Sequence, residues 1–169
     1  LTANTTGGQN SALGAYALAG STTGTNNVAV GYDCFSQANT GSNSTAVGSY
    51  ALKDHTSGYD NVAVGAYAGQ NITEGYENVA VGKSALHDLT TGDRNTAIGI
   101  NALFETSTGD KNTAVGSRAL NSNTTASYNT AVGVSALSES TTGSMNVAMG
   151  HQALYSTTTG SNNVGIGVY

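Results

Sequence analysis

The sequence predicts an all-β protein whose chain winds into a parallel β-solenoid. Three observations predict this fold: the phrase Asn-Val-Ala-Val-Gly or a close variant recurs along the whole chain, its glycines fall at every seventeenth position, and no insertion or deletion breaks the spacing. Each recurrence is interpreted as one coil, so residues 1–169 are expected to form a single repeat region of ten 17-residue coils, less one residue. The strand glycines are Gly14, Gly31, Gly48, Gly65, Gly82, Gly99, Gly116, Gly133, Gly150 and Gly167.

The first element of each coil is a short strand. β-Branched residues alternate with small ones, and Gly bounds the segment, which is typical of a strand. The alternation places the Val, Ile or Thr residues on one face, and Asn and Ala on the other. A helix is disfavoured, because Gly and β-branched residues recur every few positions. The residues that represent the repeat are Asn27, Val30, Gly31, Asn61, Val64, Gly65, Asn95, Ile98, Gly99, Asn129, Val132 and Gly133.

Three further features complete the predicted coil. An Ala-Leu pair follows the strand glycine and is predicted to form a second short extended segment, with Cys34-Phe35 replacing the pair once. A Thr-Thr-Gly stretch, such as Thr22-Thr23-Gly24, is predicted to be a corner, since Gly permits positive φ. The Asn that precedes each strand is expected to stack into an amide ladder that satisfies backbone groups at the corner.

Composition and charge exclude several classes of protein. No apolar run approaches the ~18 residues of a membrane span, and the first residues lack the features of a signal peptide. Five Lys and Arg against ten Asp and Glu leave no basic surface for nucleic acid. The single cysteine excludes a disulfide scaffold within one chain. We therefore expect no nucleic-acid partner and no membrane insertion in this segment.

The strand pattern also predicts self-association. The strand is apolar on both faces, with Val or Ile on one and Ala on the other, whereas a solvated outer face would show an alternation with Lys, Glu or Thr. The small Ala face suits a narrow coil interior, so the larger residues are left to be buried by another copy. We expect a homo-oligomer of parallel rods. Because the chain begins and ends in phase with the repeat, without a polar capping coil, we also expect a segment of a longer fibre.

The repeats 95–103 and 112–120, which read Asn-Thr-Ala-Ile-Gly-Ile-Asn-Ala-Leu and Asn-Thr-Ala-Val-Gly-Ser-Arg-Ala-Leu, resemble the head repeats of trimeric autotransporter adhesins. The Thr-Thr-Gly spacer is similar to related repeats in phage tail fibres. The resemblance spans the whole chain and implies a left-handed parallel β-roll, a parallel homotrimer, an extracellular location on a cell surface or virion, and a role in attachment. The adhesin-head unit is usually shorter, so the additional residues are expected to enlarge a corner.

Tyrosines are the candidate contacts for a partner. Tyr on a rigid scaffold can stack on sugars or on protein partners, although such residues can also merely cover neighbouring coils. A host-surface glycan or protein is the expected partner. The candidates are a pair after the corner glycine, Tyr59 and Tyr76, and a set beside the strand glycine, Tyr16, Tyr32, Tyr50 and Tyr67.

We expect no enzyme, no cofactor and no metal site. Asp88 and Glu105 stand one repeat apart, about 5 Å, a spacing that would suit a retaining glycosidase. Both carboxylates are expected to be exposed to solvent, with no neighbouring group that would raise the pKa of either one. His55, His87 and His151 fall in different rows and are interpreted as solvated side chains rather than zinc ligands.

Cys34 replaces an Ala in a small buried row and is interpreted as an inert, packed thiol.

The predicted function is that of a rigid, adhesive spacer in a surface fibre, either a phage tail fibre or a bacterial adhesin. The alternative is an ice-binding solenoid, because the corner threonines form regular hydroxyl rows, as at Thr90-Thr91 and Thr158-Thr159. Ice-binding surfaces usually carry Thr-x-Thr on a flat strand, whereas adjacent threonines point apart. A glycan-cleaving tailspike is the less favoured hypothesis.

Overall fold

The computed structural model describes residues 3–169, which contain strands, turns and bends but no helix. Ten short strands, one in each coil, follow one another at a constant interval along the chain. They are β1 (Ser11–Leu13), β2 (Val28–Val30), β3 (Thr45–Val47), β4 (Val62–Val64), β5 (Val79–Val81), β6 (Thr96–Ile98), β7 (Thr113–Val115), β8 (Thr130–Val132), β9 (Val147–Met149) and β10 (Val164–Ile166).

The strands form one parallel sheet in sequence order, from β1 to β10. Each strand residue pairs with its equivalent in the next coil, as Ala29 does with Ala46. The backbone N–H of Thr96 donates to Asn112 O in the next coil, at 2.8 Å. The predicted all-β solenoid with 17-residue coils is therefore confirmed.

The interior of each coil is lined by small strand residues on one side and by Ala-Leu pairs on the other. Ala63 and Ala97 of the strands are fully buried, and so are Ala51, Leu52 and Leu103. Alanine allows the walls of the narrow coil to approach, and each Leu fills the remaining space, which contributes about 1.5–3 kcal/mol per side chain. None of the fifteen charged residues, five basic and ten acidic, is buried.

The Ala-Leu pair does not form the predicted extended segment. It lies in two successive turns, in which Ala51 N–H donates to Gly48 O and His55 N–H donates to Leu52 O, each at 3.3 Å. Tyr50 and Leu52 have positive φ, 61° and 47°. The left-handed residues bend the chain around the narrow coil, so both members of the pair point inward. Their backbone strain, about 1–2 kcal/mol per residue, is offset by bonds such as Leu52 N–H to Ala68 O in the next coil (3.1 Å).

The strand glycines are required by close approach as well as by conformation. Gly99 has a φ of +137°, and a Cβ built on it would lie 2.6 Å from the carbonyl carbon and oxygen of Gly116. A side chain in this row would therefore push neighbouring coils apart, because the obstacle is backbone that cannot rotate away.

The Asn side chains before the strands connect each coil to the next. Asn95 is buried, and its Oδ1 accepts the N–H of Asn112 at 2.9 Å. Its Nδ2 donates to the carbonyl oxygen of the corner residue Gly109 at 2.8 Å. Where Ser44 replaces Asn, the Oγ accepts Asn61 N–H at 3.1 Å but donates locally to Ser42 O instead of crossing to the corner.

Candidate functional site

The outward rows of the ten strands form an apolar surface, here called the strand face. Because the middle residue of each strand points inward, its two neighbours point outward. Val62 and Val64 are each 37% exposed and Ile98 is 41% exposed. Val30 and Val132 are partly buried by their neighbours within the chain. The single chain thus leaves a continuous stripe of branched side chains in contact with solvent.

Tyr59 and Tyr76, the corner tyrosine pair, are stacked on successive coils, with centroids 4.9 Å apart and planes 6° apart. Arg94 lies over the second ring, with its Cζ 5.5 Å from the centroid. A hydrogen bond with the Asp93 carboxylate raises the pKa of Tyr76. The Glu77 carboxylate accepts the Nε–H of Arg94 at 2.8 Å, which raises the pKa of that guanidinium. The predicted tyrosine pair is thus stacked at the corner, and charged side chains surround its second ring.

The other candidate tyrosines form one continuous row, here called the tyrosine ladder. Tyr16 meets Tyr32 edge-on at 5.9 Å, Tyr32 meets Tyr50 edge-on at 5.5 Å, and Tyr50 stacks on Tyr67 at 5.1 Å. The exposed fraction is 64% for Tyr16 and 47% for Tyr32. Although Tyr32 stands one position earlier in its repeat, its ring bridges its neighbours.

The aromatic row continues beyond the tyrosines. The His87 ring lies 6.5 Å from Tyr67 and stacks on Phe104 at 5.0 Å. The repeat pattern does not predict this continuation, because His87 and Phe104 stand three positions later in their repeats than Tyr50 and Tyr67 do. In the sequence, the row is visible as an aromatic residue or a histidine in every coil from residue 16 to residue 104, at slightly different positions of the repeat.

The structure corrects the interpretation of His55, which is buried rather than solvated. Its ring stacks on Phe35 at 4.7 Å inside the coil. The His55 Nδ1 lies 3.3 Å from Asn39 Oδ1, and Nε2 lies 3.2 Å from Asn61 Nδ2. Burial lowers the pKa of the imidazole from 6.5 to about 4. His87 is partly buried and His151 is exposed.

The carboxylates considered for catalysis have separate surroundings. Asp88 Oδ1 accepts hydrogen bonds from His87 Nδ1 at 2.6 Å and from Asn71 Nδ2 at 3.2 Å. Glu105 is exposed and lines a groove. Among residues 3–169, no group of three or more His, Cys, Asp or Glu could hold a metal ion. Cys34 is buried, and burial raises the pKa of its thiol.

A groove that sequence analysis did not anticipate crosses the coils between Phe104 and Tyr155, with a volume of about 340 Å³. Its lining includes the nearly buried Ser138 and the exposed Arg118 and Glu139. It is here called the central groove. The groove depends on two smaller side chains, Asn121 and Ser138, standing in succession between Phe104 and Tyr155 in one row, which the conserved positions of the repeat do not indicate. Its lining is mostly polar, and it lies apart from the strand residues.

At the corners, the hydroxyl of the first threonine donates a hydrogen bond to the backbone of the next coil. Thr73 Oγ1 donates to Thr90 O at 3.1 Å, and Thr90 Oγ1 donates to Ser107 O at 3.0 Å. The second residue of each pair, as at Thr91 and Thr125, is exposed. At the corners of the described coils, the second Thr row is therefore the one presented to solvent.

Comparison with protein-family models, curated proteins and solved structures finds no match to this chain. The geometry therefore establishes a parallel β-solenoid repeat, while the resemblance to adhesin-head and tail-fibre repeats rests on the sequence phrases alone. Within the described part of the chain, no helix is long and apolar enough to cross a membrane.

Proposed function

We propose that this chain is a rigid segment of an extracellular fibre, assembled from three parallel copies and used for attachment. The observation that carries the proposal is the open strand face, since its branched residues contact solvent over consecutive coils, with Val62 37% and Ile98 41% exposed, while the inward Ala row is fully buried from Ala29 to Ala148. Solvent-exposed apolar stripes of this length mark interaction surfaces.

The strand face suits a second copy of the same chain better than an unrelated partner. Its rows repeat once per coil, so a parallel copy meets the same residues at the same spacing along its whole length. The outward rows of β1–β10 hold no charged residue, so packing would bury no unpaired charge. Thr96 and Thr113, which replace Val in the outer row, keep the same branched shape.

The surroundings of the strand face support a mechanical role. Successive coils bond to one another through backbone groups and through the Asn ladder, in which Ser44 replaces one Asn, and the strands begin at a constant 17-residue interval. A rod of this kind resists bending because hydrogen bonds join each coil to the next along its whole length. The tyrosine ladder and the corner tyrosine pair lie outside the strand face, and they are the surfaces proposed to contact a host glycan or protein from a cell-surface adhesin or a phage tail fibre.

The assembly is tested by placing a charge on the strand face. Val64→Lys and Ile98→Lys each put an ammonium group where a sister strand would pack, while Glu74→Lys adds the same group at an exposed corner. Sedimentation velocity is expected to give a trimer for the parent and for Glu74→Lys, and a smaller species for the strand-face variants. A folded parent that sediments as a monomer at micromolar concentration contradicts the proposal.

Ice binding remains the second hypothesis, supported by the exposed Thr row that includes Thr91, Thr108, Thr125 and Thr142. It is less favoured because the partner hydroxyls of these pairs are bonded to the backbone of the next coil. Thermal hysteresis in a solution of the folded protein would support it, and a freezing point equal to that of the buffer would exclude it.

A further inference from the structure

The central groove exists because one row of side chains changes size along the rod. Phe104, Asn121, Ser138 and Tyr155 stand one coil apart in this row. The two aromatic residues therefore form end walls, and the two smaller residues leave the space between them. Three coil steps separate the walls, roughly 14 Å. The volume of about 340 Å³ falls within the range of small-molecule sites.

The first end wall is held in place by its neighbour. Phe104 stacks on His87 with ring centroids 5.0 Å apart and planes 18° apart, and the Nδ1 of His87 is in turn bonded to Asp88 at 2.6 Å. One face of the Phe104 ring is covered by this stack, which leaves its opposite face toward the groove. A fixed aromatic face packs well against the C–H surface of a sugar ring.

The floor and sides carry polar groups without protein partners. Ser138 is 7% exposed, and its hydroxyl has no hydrogen-bond partner within residues 3–169. Arg118, Glu105 and Glu139 line the same groove, and in the described chain none of them has a side-chain hydrogen bond or an ion pair. A nearly buried hydroxyl and three unpaired charged groups leave hydrogen-bond donors and acceptors available to a ligand rich in hydroxyl groups.

The charge of the groove narrows the class of ligand. Two carboxylates and one guanidinium give a net charge of −1 (1 − 2), which disfavours polyanionic glycans. Carboxylates accept bonds from pairs of sugar hydroxyls, and the guanidinium donates to ring or hydroxyl oxygens. We propose that the central groove binds a neutral oligosaccharide of two or three sugar units, stacked on Phe104 and Tyr155 and hydrogen-bonded by Ser138, Arg118 and the two glutamates.

This proposal goes beyond the structural role and does not depend on the trimer. Its test measures the binding of maltotriose, cellotriose and N-acetylchitotriose to the folded protein by saturation-transfer NMR and calorimetry, with a sialylated trisaccharide as the anionic probe. Ser138→Phe fills the groove with the residue that the same row carries at Phe104. Gln70→Phe makes a matched change in the same row outside the groove.

At least one neutral trisaccharide is expected to bind, with affinity lowered about tenfold or more in Ser138→Phe and in Phe104→Ala and unchanged in Gln70→Phe. The absence of binding to all three neutral probes, stronger binding of the sialylated probe, or equal binding by Ser138→Phe would each overturn the proposal. Binding that is lost only when Tyr59 and Tyr76 are both replaced by Ala would assign the sugar to the corner tyrosine pair instead. Sedimentation of the same variants reports the assembly separately.

Discussion

At position 55 the coil interior holds an imidazole, whereas the next two coils hold Ile72 and Leu89 at the corresponding place. The backbone fixes the amides on both sides of the ring: Asn39 Oδ1 accepts Gly41 N–H at 2.7 Å, and Asn61 Nδ2 donates to Gly75 O at 2.7 Å. The ring therefore meets an acceptor at Nδ1 and a donor at Nε2. This arrangement matches only the neutral tautomer that carries its proton on Nδ1.

His55 is expected to make the free energy of unfolding depend on pH. Its folded pKa of about 4 lies below the usual value of 6.5, so between these values the unfolded chain binds a proton that the folded chain does not. The contribution of this group to stability is therefore fully present above pH 6.5, falls as the pH decreases toward 4, and changes no further below 4. The loss reaches about 3 kcal/mol. Urea unfolding at a series of pH values measures it.

The matched variants are His55→Leu, which copies Leu89, and His151→Leu, which replaces an exposed histidine. His55→Leu is expected to remove most of the pH dependence between 6.5 and 4, and His151→Leu to leave it intact. If the two variants show the same pH profile as the parent, the titrating group is not His55.

The sequence predicted the burial of Cys34 but not that of His55, for a reason visible in the residue rows. Cys34 stands among alanines, whose row signals an interior position. His55 stands in a row that mixes polar and apolar residues and therefore resembles a solvent-exposed row. The buried members of this row are Ser21, His55, Ile72, Leu89, Thr106, Asn123 and Ser140. Ala38 is exposed at the remaining position, and the next residue, Asn39, is buried and pairs with Ser21 instead.

At the scale of the element, the Asn before each strand gives the coil its connection to both neighbours. Asn95→Ala is expected to lower the free energy of unfolding by about 2–4 kcal/mol, because the buried N–H of Asn112 and the carbonyl of Gly109 both lose a partner. Asn95→Ser is expected to lower it less, since the Ser44 hydroxyl already replaces half of this bonding by accepting Asn61 N–H. Thermal and chemical unfolding of the two variants give the ranking, and equal destabilisation would mean that the acceptor oxygen is unimportant.

The strand was predictable and the following segment was not. Val-Ala-Val between Asn and Gly has a period of two, and the strands occupy these residues. The Ala-Leu segment was assigned from its apolar composition, which signals burial but says nothing about φ. Its left-handed residues, such as Tyr50 and Leu52, are not of the types that usually mark positive φ. Contacts with adjacent coils impose the conformation, and no local pattern records them.

At the scale of the whole molecule, constant spacing makes the coils interchangeable. Deletion of residues 96–112 removes one whole repeat and joins Asn95 to Thr113, which recreates the Asn-Thr junction found at Asn112. This variant is expected to unfold cooperatively, with a melting temperature within a few degrees of that of the parent, because each coil contacts only its neighbours.

Deletion of residues 96–113 removes one residue more and is the matched control. It is expected to melt at a clearly lower temperature, because a one-residue shift exchanges the inward and outward faces of a strand. Circular dichroism melting compares the two deletions, and similar curves would show that register is not what holds the coils together.

The surfaces proposed for assembly and for ligand binding were only partly predictable from the sequence. The apolar strand face follows from alternation within one repeat, and the tyrosines are visible in the sequence. The central groove depends on three successive steps between Phe104 and Tyr155, so it becomes apparent only when side-chain size is followed from coil to coil.

The tyrosine ladder and the central groove lie at different heights on the rod, one over residues 16–67 and the other over residues 101–155. A target approached end-on would touch these two surfaces in succession. In the proposed fibre, the end of the rod that is attached would decide which of the two surfaces the target contacts first, so attachment by the opposite end would reverse this order without a change in any side chain.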